Sequence, residues 1–281
     1  MSMSILNNIP GIEAQNQLNT TSANLTNTLE QLSSGSRLNS GADDPAGLAI
    51  ANGLTANTTA LTQSAQNATD GVGMLQVADG ALSQVTSLLN TAVTLATEAA
   101  NGTVSSAQQA SMDNEFTAIK AEITRIGGST TYNGSKVFSG NTTSVFISDG
   151  TSAGASTIDA SVGTLSASSI GFSASSPTNL STDSLTSVAA ATSALTDITT
   201  AIANVANDRG KIGADVNRLQ SATNVVNTQV QNLTSAESSI SSANIAQDVA
   251  TMSQDNILQS TGMAALQQSN QMQQSILKLL Q

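Results

Sequence analysis

No residue in this chain of 281 is histidine, cysteine or tryptophan, and aromatic side chains make up only 2% of it. Without cysteine there can be no disulfide framework, thiolate nucleophile or cysteine-ligated metal. Without histidine the commonest general base near neutral pH and the commonest transition-metal ligand are both missing, which rules out Ser-His-Asp chemistry. Paired carboxylates or a Ser-Lys arrangement stay formally open, but no motif places them, and no catalytic, cofactor or metal site is read. Cations are scarce too: 8 Lys and Arg stand against 19 Asp and Glu, a net charge of -11. A polyanion would be repelled, and no basic stripe with interleaved aromatics offsets that, so nucleic acid is not an expected partner. No run of 18 apolar residues occurs, so no membrane insertion is expected. The opening MSMSILNNIPGIEAQNQLNTT has no Lys or Arg before Arg37 and resembles no cleavable signal peptide. A cytosolic location and export by a route without a cleaved signal both stay open; the absence of cysteine favours the second.

What the chain does have is helical spacing. Ile212, Val216, Leu219, Thr223, Val226, Val230, Leu233, Glu237 and Ile240 recur at alternating steps of four and three, a heptad seam. Residues 14–33 read as a helix with Leu18, Leu25, Leu29 and Leu32 on one side. The loop that follows ends in Asp43-Asp44-Pro45, where Pro suits a first helical turn and either Asp can cap it. In the next helix Leu61, Ala65, Ala68, Val72 and Leu75 keep the four-three rhythm. After one shortened step Ala78, Leu82, Val85, Leu89, Ala92, Ala96 and Ala99 resume it, and Asn101-Gly102 stops it. A third helix begins near Ser105 or Ser106, each with Gln three residues on. Its seam is Gln109, Met112, Phe116, Ile119, Ile123 and Ile126, and Gly127-Gly128 is expected to end it.

From about 131 to 180 the pattern changes. Asn133-Gly134 is a hairpin signal, and Val137, Phe138, Val145, Phe146 and Ile147 favour strands. The rest of that stretch is low-complexity Ser, Thr, Ala and Gly. Helix returns over 185–240 and, more weakly, over 243–280 through Ile245, Val249, Met252, Met263, Leu266, Ile276 and Leu279. The fold class expected is mainly α: a long antiparallel helical or coiled-coil rod formed by both chain ends, with a small β-hairpin-containing outer insertion.

The two ends are unusually poor in charge. Residues 1–33 carry only Glu13 and Glu30, and residues 241–281 only Asp248, Asp255 and Lys278 beside nine Gln. Ordering roughly 40 residues costs on the order of 40–80 kcal/mol of backbone entropy. A lone amphipathic helix cannot recover that at about 1.5–3 kcal/mol per buried Leu or Ile. Both ends are therefore expected to be disordered in a free subunit and to fold when neighbouring copies cover their apolar stripes. Three small motifs take the plainer reading. Asp43-Asp44 caps a helix instead of holding a metal, Gly71-Val72-Gly73 marks a close helix contact, and the Asn-x-Ser/Thr triplets arise by chance.

Several segments together resemble bacterial flagellins, the subunits of flagellar filaments. They are LEQLSSGSRLNSGADDPAGLAIANGL (29–54), NATDGVGMLQVADGALSQV (67–85), AANGT (99–103), YNGSKVF (132–138) and NILQSTGMAALQQSNQMQQSILKLL (256–280). The resemblance implies a structural, non-enzymatic subunit that polymerises into the filament used for swimming. It implies inner-core helices at 1–44 and 241–281, rod segments at 45–138 and 187–240, and a variable exposed segment at 139–186. It also implies export through the flagellar type III apparatus, homopolymer contacts, filament cap and hook-junction partners, and an export chaperone on the C-terminal segment. The assembly seam expected is Leu18, Leu25, Leu29, Leu32, Ile212, Val216, Leu219, Val226, Val230, Leu233, Ile240, Ile245, Val249, Met252, Leu266, Ile276 and Leu279. A hook–filament junction protein is the alternative reading, and a secreted helical adhesin a more distant one.

One departure from the family has a consequence. Many flagellins carry Arg and Glu just before the AANGT stretch, on the surface gripped by the vertebrate flagellin-sensing receptor. Here Thr91 and Thr94 stand there, beside Asn90, and the charge-assisted hydrogen bonds are missing. Weak or absent receptor stimulation is expected in a reporter assay; full potency would refute it.

Overall fold

The computed structural model describes residues 8–150, 156–171 and 178–279, with side chains as far as 275. Along the described chain lie helices α1 (Ile9–Ser34), α2 (Pro45–Ala99) and α3 (Ser106–Ser129). Strands β1 (Thr131–Tyr132), β2 (Ser135–Lys136), β3 (Thr142–Phe146) and β4 (Thr157–Ser161) follow, then α4 (Val188–Ser241) and α5 (Ile245–Leu279). They fall into two compact units. The terminal unit holds Met1–Ala56 with Asn232–Gln281, and the central unit holds Asn57–Gln231. The mainly helical fold with a small strand insertion is the one expected.

The helix ends are set by short polar side chains. Asn8 accepts from the Gly11 N–H at the start of α1, and Gly35, at φ 69°, closes it in the left-handed conformation. Of the two Asp before Pro45, Asp44 caps α2, its Oδ1 accepting from Ala46 and Gly47 at 3.1 and 2.9 Å. Asp43 closes the preceding loop, accepting from Asn39 and Ser40 at 3.0 and 2.8 Å. The backbone N–H of Ser40, then that of Asn39, holds the Asp43 carboxyl below its ordinary range. Its support of the loop is therefore present at neutral pH and lost on acidification. Helix α3 opens on Ser105, with Gln108 completing the capping box. It runs on through Gly127-Gly128 to Ser129 instead of stopping there, because the glycines keep helical backbone in the last turn.

The core of the central unit runs along α2. Leu61, Ser64, Ala68, Gly71, Leu75, Ala78, Leu82, Val85, Leu89, Ala92, Ala96 and Ala99 are all buried, an unbroken alternation of threes and fours. The expected stripe through Ala65 and Val72, with its shortened step, is displaced by one residue, since both are only half-buried. Ser64 and Gly71 take those places for physical reasons. Ser64 Oγ donates to the Ser148 carbonyl at 2.7 Å and accepts the Ser148 N–H at 3.1 Å, so its polarity is satisfied. A Cβ on Gly71 would stand 2.8 Å from Val145 Cγ2; glycine is what lets β3 approach the helix. Gly73 leaves similar room for the Tyr132 ring. The close contact expected at these two glycines is thus made by the strand insertion.

Helix α3 adds Phe116, Ile119 and Ile123, and α4 adds Ala191, Ala194, Ile198, Ala201, Val205, Ile212, Leu219 and Val226. Arg209 on α4 holds Asp79 on α2 through two contacts, Nε to Oδ1 at 2.7 Å and Nη2 to Oδ2 at 3.3 Å. Lys120 donates to the Asp183 carbonyl at 2.6 Å and stands 4.7 Å from the Phe116 ring centroid, fixing the segment that leads into α4. Burial, then the nearby Asp197, pushes the Asp183 carboxyl above its ordinary range, and Lys120 partly offsets them. The β1–β2 hairpin turns on Asn133 (φ 48°) and Gly134 (φ 77°), the two left-handed residues of a type I′ turn. Strands β3 and β4 pair antiparallel, with Thr143 opposite Ala160 and Val145 opposite Ile158.

Two adjacent glycines provide a test. A Cβ at Gly127 would overlap the Leu165 carbonyl oxygen, whereas one at Gly128 meets nothing within 4 Å. Gly127→Ala should cost about 1–3 kcal/mol by overpacking. Gly128→Ala should be neutral or gain up to about 1 kcal/mol of helix propensity. Thermal melts of the two variants side by side check this, and equal midpoints would count against the close approach at Gly127.

Candidate assembly surface

The terminal unit is built around the pairing of α1 with α5. Asn8 on the N-cap of α1 meets the far end of α5, accepting from Ser269 Oγ at 2.7 Å and donating to Asn270 Oδ1 at 3.3 Å. Leu18 packs over Gly262, whose absent Cβ would stand 3.4 Å from Leu18 Cδ1. At the other end the two linkers form an antiparallel bridge between Ser36 and Ser242. The Arg37 N–H donates to Ser241 O at 2.6 Å and the Ala243 N–H to Gly35 O at 3.1 Å. Arg37 Nη2 reaches the Ile240 carbonyl at 2.8 Å. Residue 8 thus faces 269–270, 18 faces 262 and 36 faces 242, the register of an antiparallel pair. Ile9–Ser34 and Ile245–Leu279 are helical in the single chain, where disorder was expected, because each covers part of the other.

What this pair buries is unusual. On α1 the buried residues are Gly11, Thr21 and Thr28; on the described part of α5 they are Asp255 and Ser269. Many of the large apolar side chains are outside. Ile9, Ile12 and Leu29 on α1, and Ile245, Val249, Ile257, Leu258, Met263 and Met272 on α5, are each at least 42% exposed. In the central unit, by contrast, the large fully buried side chains include Phe116, Leu75, Leu82, Leu89 and Leu219. An open groove of about 460 Å³ lies against the end of α1, lined by Thr26, Leu29, Glu30, Ser33, Ser34 and Asn39.

The expected seam residues divide by position. Ile212, Leu219 and Val226 are buried and Val216 is half-buried. Past Val226 none is buried: Val230, Leu233 and Ile240 are half-buried, and Ile245 and Val249 are exposed. Leu18, Leu25, Leu32, Met252 and Leu266 are half-buried, and Leu29 is exposed. The side chains of Ile276 and Leu279 lie outside the described residues. Ile9, Ile12, Ile257, Leu258 and Met272 are also exposed but were not in the expected seam. The adjacent pair Ile257-Leu258 was the available signal, and it falls off a single four-three stripe. Asn90, Thr91 and Thr94 are exposed on α2. Thr91 and Thr94 turn their hydroxyls back onto the Ser87 and Asn90 carbonyls, both at 3.2 Å. Among the described residues no three His, Cys, Asp or Glu gather to hold a metal, and no helix is long and apolar enough to cross a membrane.

Long helices around a thin core, paired ends that turn their large apolar side chains outward and a small β insertion define a helical structural protein. Residues 5–143 match the bacterial flagellin N-terminal helical region, and residues 195–280 the C-terminal helical region. The chain is 31% identical to a flagellin of Halalkalibacterium halodurans over 278 residues, 99% of this chain and all of that one. It is 29% identical to the flagellar filament 33 kDa core protein of Treponema phagedenis over 291 aligned positions, again 99% of this chain and all of that one. The B-type flagellin of Pseudomonas aeruginosa is longer: 39% identity extends over 171 residues, 61% of this chain but 35% of that one. A solved structure described as a flagellar hook-associated protein of Vibrio parahaemolyticus aligns with a TM-score of 0.57, covering 71% of this chain and all of its own. At 18% identity that likeness shows the fold alone. The chain belongs to the bacterial flagellin family.

The α1–α5 contact yields its own test. The 3.4 Å clearance at Gly262 admits a methyl group, so Gly262→Ala should gain up to about 1 kcal/mol of helix propensity. Gly262→Leu should displace Leu18 and cost about 1–3 kcal/mol. Amide exchange across α5 in the full-length monomer reads both changes; if the Leu variant exchanges no faster than wild type, the packing of Leu18 on Gly262 is wrong.

Proposed function

We infer that this chain is the repeating subunit of a bacterial flagellar filament, and that the outward apolar faces of α1 and α5 are where further copies pack. The observation that carries this is the inversion in the terminal unit, where the fully buried described positions are small or polar and the described isoleucines, leucines and methionines are half-buried or exposed. Each such side chain left in water forgoes about 1.5–3 kcal/mol of burial. Exposed apolar side chains gathered on charge-poor segments are suited to association. A second copy presents the same surface, and head-to-tail repetition of one contact generates a helical polymer.

The buried stretch of α4 up to Val226 belongs, on this reading, to the rigid part of each subunit, and the half-buried positions beyond it to contacts between subunits. Segment 139–186 is, on the same reading, the outer part of each subunit, with Val145, Leu165 and Ile170 packed inward. The filament lies outside the cell. Export through the flagellar apparatus, a chaperone on residues 241–281, and cap and hook-junction partners complete the proposal. The hook-junction alternative is less well supported, since the matches that span the whole chain are to a flagellin and a filament core protein.

Electron microscopy after seeding the purified protein tests the reading. Wild type should grow long helical tubes. Ile257→Asp and Leu258→Asp, both at exposed positions, should block elongation while circular dichroism stays near that of wild type. Tubes of normal length from both variants would remove this face of α5 from the assembly surface.

A further inference from the structure

The α1–α5 seam contains a group that works against it. Asp255 is 6% exposed, and its Oδ2 is buried without a hydrogen-bond partner. It is one of three charged residues between 241 and 281, and Asp248, on the same helix, is only half-buried. Burying a carboxylate is strongly unfavourable unless a cation or a full set of donors compensates it. Neither seam helix supplies a cation nearby. The charged residues of α1 are Glu13 and Glu30, and those of α5 besides Asp255 are Asp248 and Lys278, the latter more than six turns further along the helix. The other cation of the terminal unit, Arg37, is engaged with the Ile240 carbonyl.

The register set by Asn8 against Ser269 and Leu18 against Gly262 puts Asp255 opposite residues 23–25, between the buried Thr21 and Thr28. The Thr28 hydroxyl is already used within α1, donating to the Asn24 carbonyl at 3.0 Å. The large apolar side chains nearest the seam, Leu18, Leu25, Leu32, Met252 and Leu266, are only half-buried and offset the carboxylate in part.

We propose that Asp255 is a built-in destabiliser of the α1–α5 pair, which holds the terminal unit of a free subunit in ready exchange between paired and open helices. The open population is set by this one carboxylate more than by the exposed faces. The idea goes beyond the filament reading and does not need it, because the readout is the monomer; a chain that never polymerised would leave the result untouched.

Hydrogen exchange on full-length monomer distinguishes the outcomes. Asp255→Asn keeps the shape and removes the charge; Asp255→Ala removes the carboxylate altogether. Both should slow the amides of residues 250–262 by about tenfold. Asp248→Asn takes the same charge from the first turn of α5, where it is only half-buried, and should leave those amides unchanged or slightly faster. Slowing in both Asp255 variants but not in the Asp248 variant supports the proposal. Unchanged or faster exchange in the Asp255 variants overturns it, as does equal slowing by Asp248→Asn, which would make the effect one of net charge.

Discussion

Apolar surface has to leave water somewhere, and in the terminal unit the chain cannot arrange this by itself. Two helices in contact can each cover only one stripe of the other. Here that stripe is given to glycine, threonine, serine and one aspartate. The described isoleucines, leucines and methionines of these two helices are half-buried or exposed. The paucity of charge in both ends follows from the same constraint, since a charge on a face destined for burial would have to be desolvated. The terminal unit is thus stable enough to have a register and too thinly packed to be complete.

The central unit solves the opposite problem. With 2% aromatic residues it cannot fill a thick core, so it brings elements close together instead. Alanine and glycine along α2 lower the height of the helix surface, Val145 and Tyr132 settle at Gly71 and Gly73, and Ser64 ties the chain beyond β3 through its hydroxyl. Each is a short-range substitute for side-chain bulk, and each is sensitive to the addition of a single methyl group.

Much of this was legible in the residue pattern. The heptads of α2 and α4, the Ser105 cap, the Asn133-Gly134 turn and the family segments all carry local signals that tertiary contacts reinforce. The misses have a common physical origin. Ala65 and Val72 looked like seam residues because periodicity scores apolarity. The structure instead uses Ser64 and Gly71, one a satisfied hydroxyl and the other an absence of side chain, and hydropathy cannot see either. Ile257 and Leu258 were passed over because a single four-three stripe was sought on α5, and these two exposed residues fall off it. The antiparallel pairing of the two ends was expected, but the residues it buries were not, because Gly11, Thr21, Thr28, Asp255 and Ser269 carry, one by one, no signal of burial.

The bridge between Ser36 and Ser242 has a mechanical meaning. The chain passes between long helices twice, over 35–44 and over 242–244, and a single unpaired linker at either place would stretch alone under tension. Main-chain bonds from Arg37 to Ser241 and from Ala243 to Gly35 make the two crossings one double strand. A pull along it is shared, and it yields only when those bonds shear together. A fibre whose every subunit carried such a joint would bend and twist under load without concentrating strain in a solitary thread of backbone.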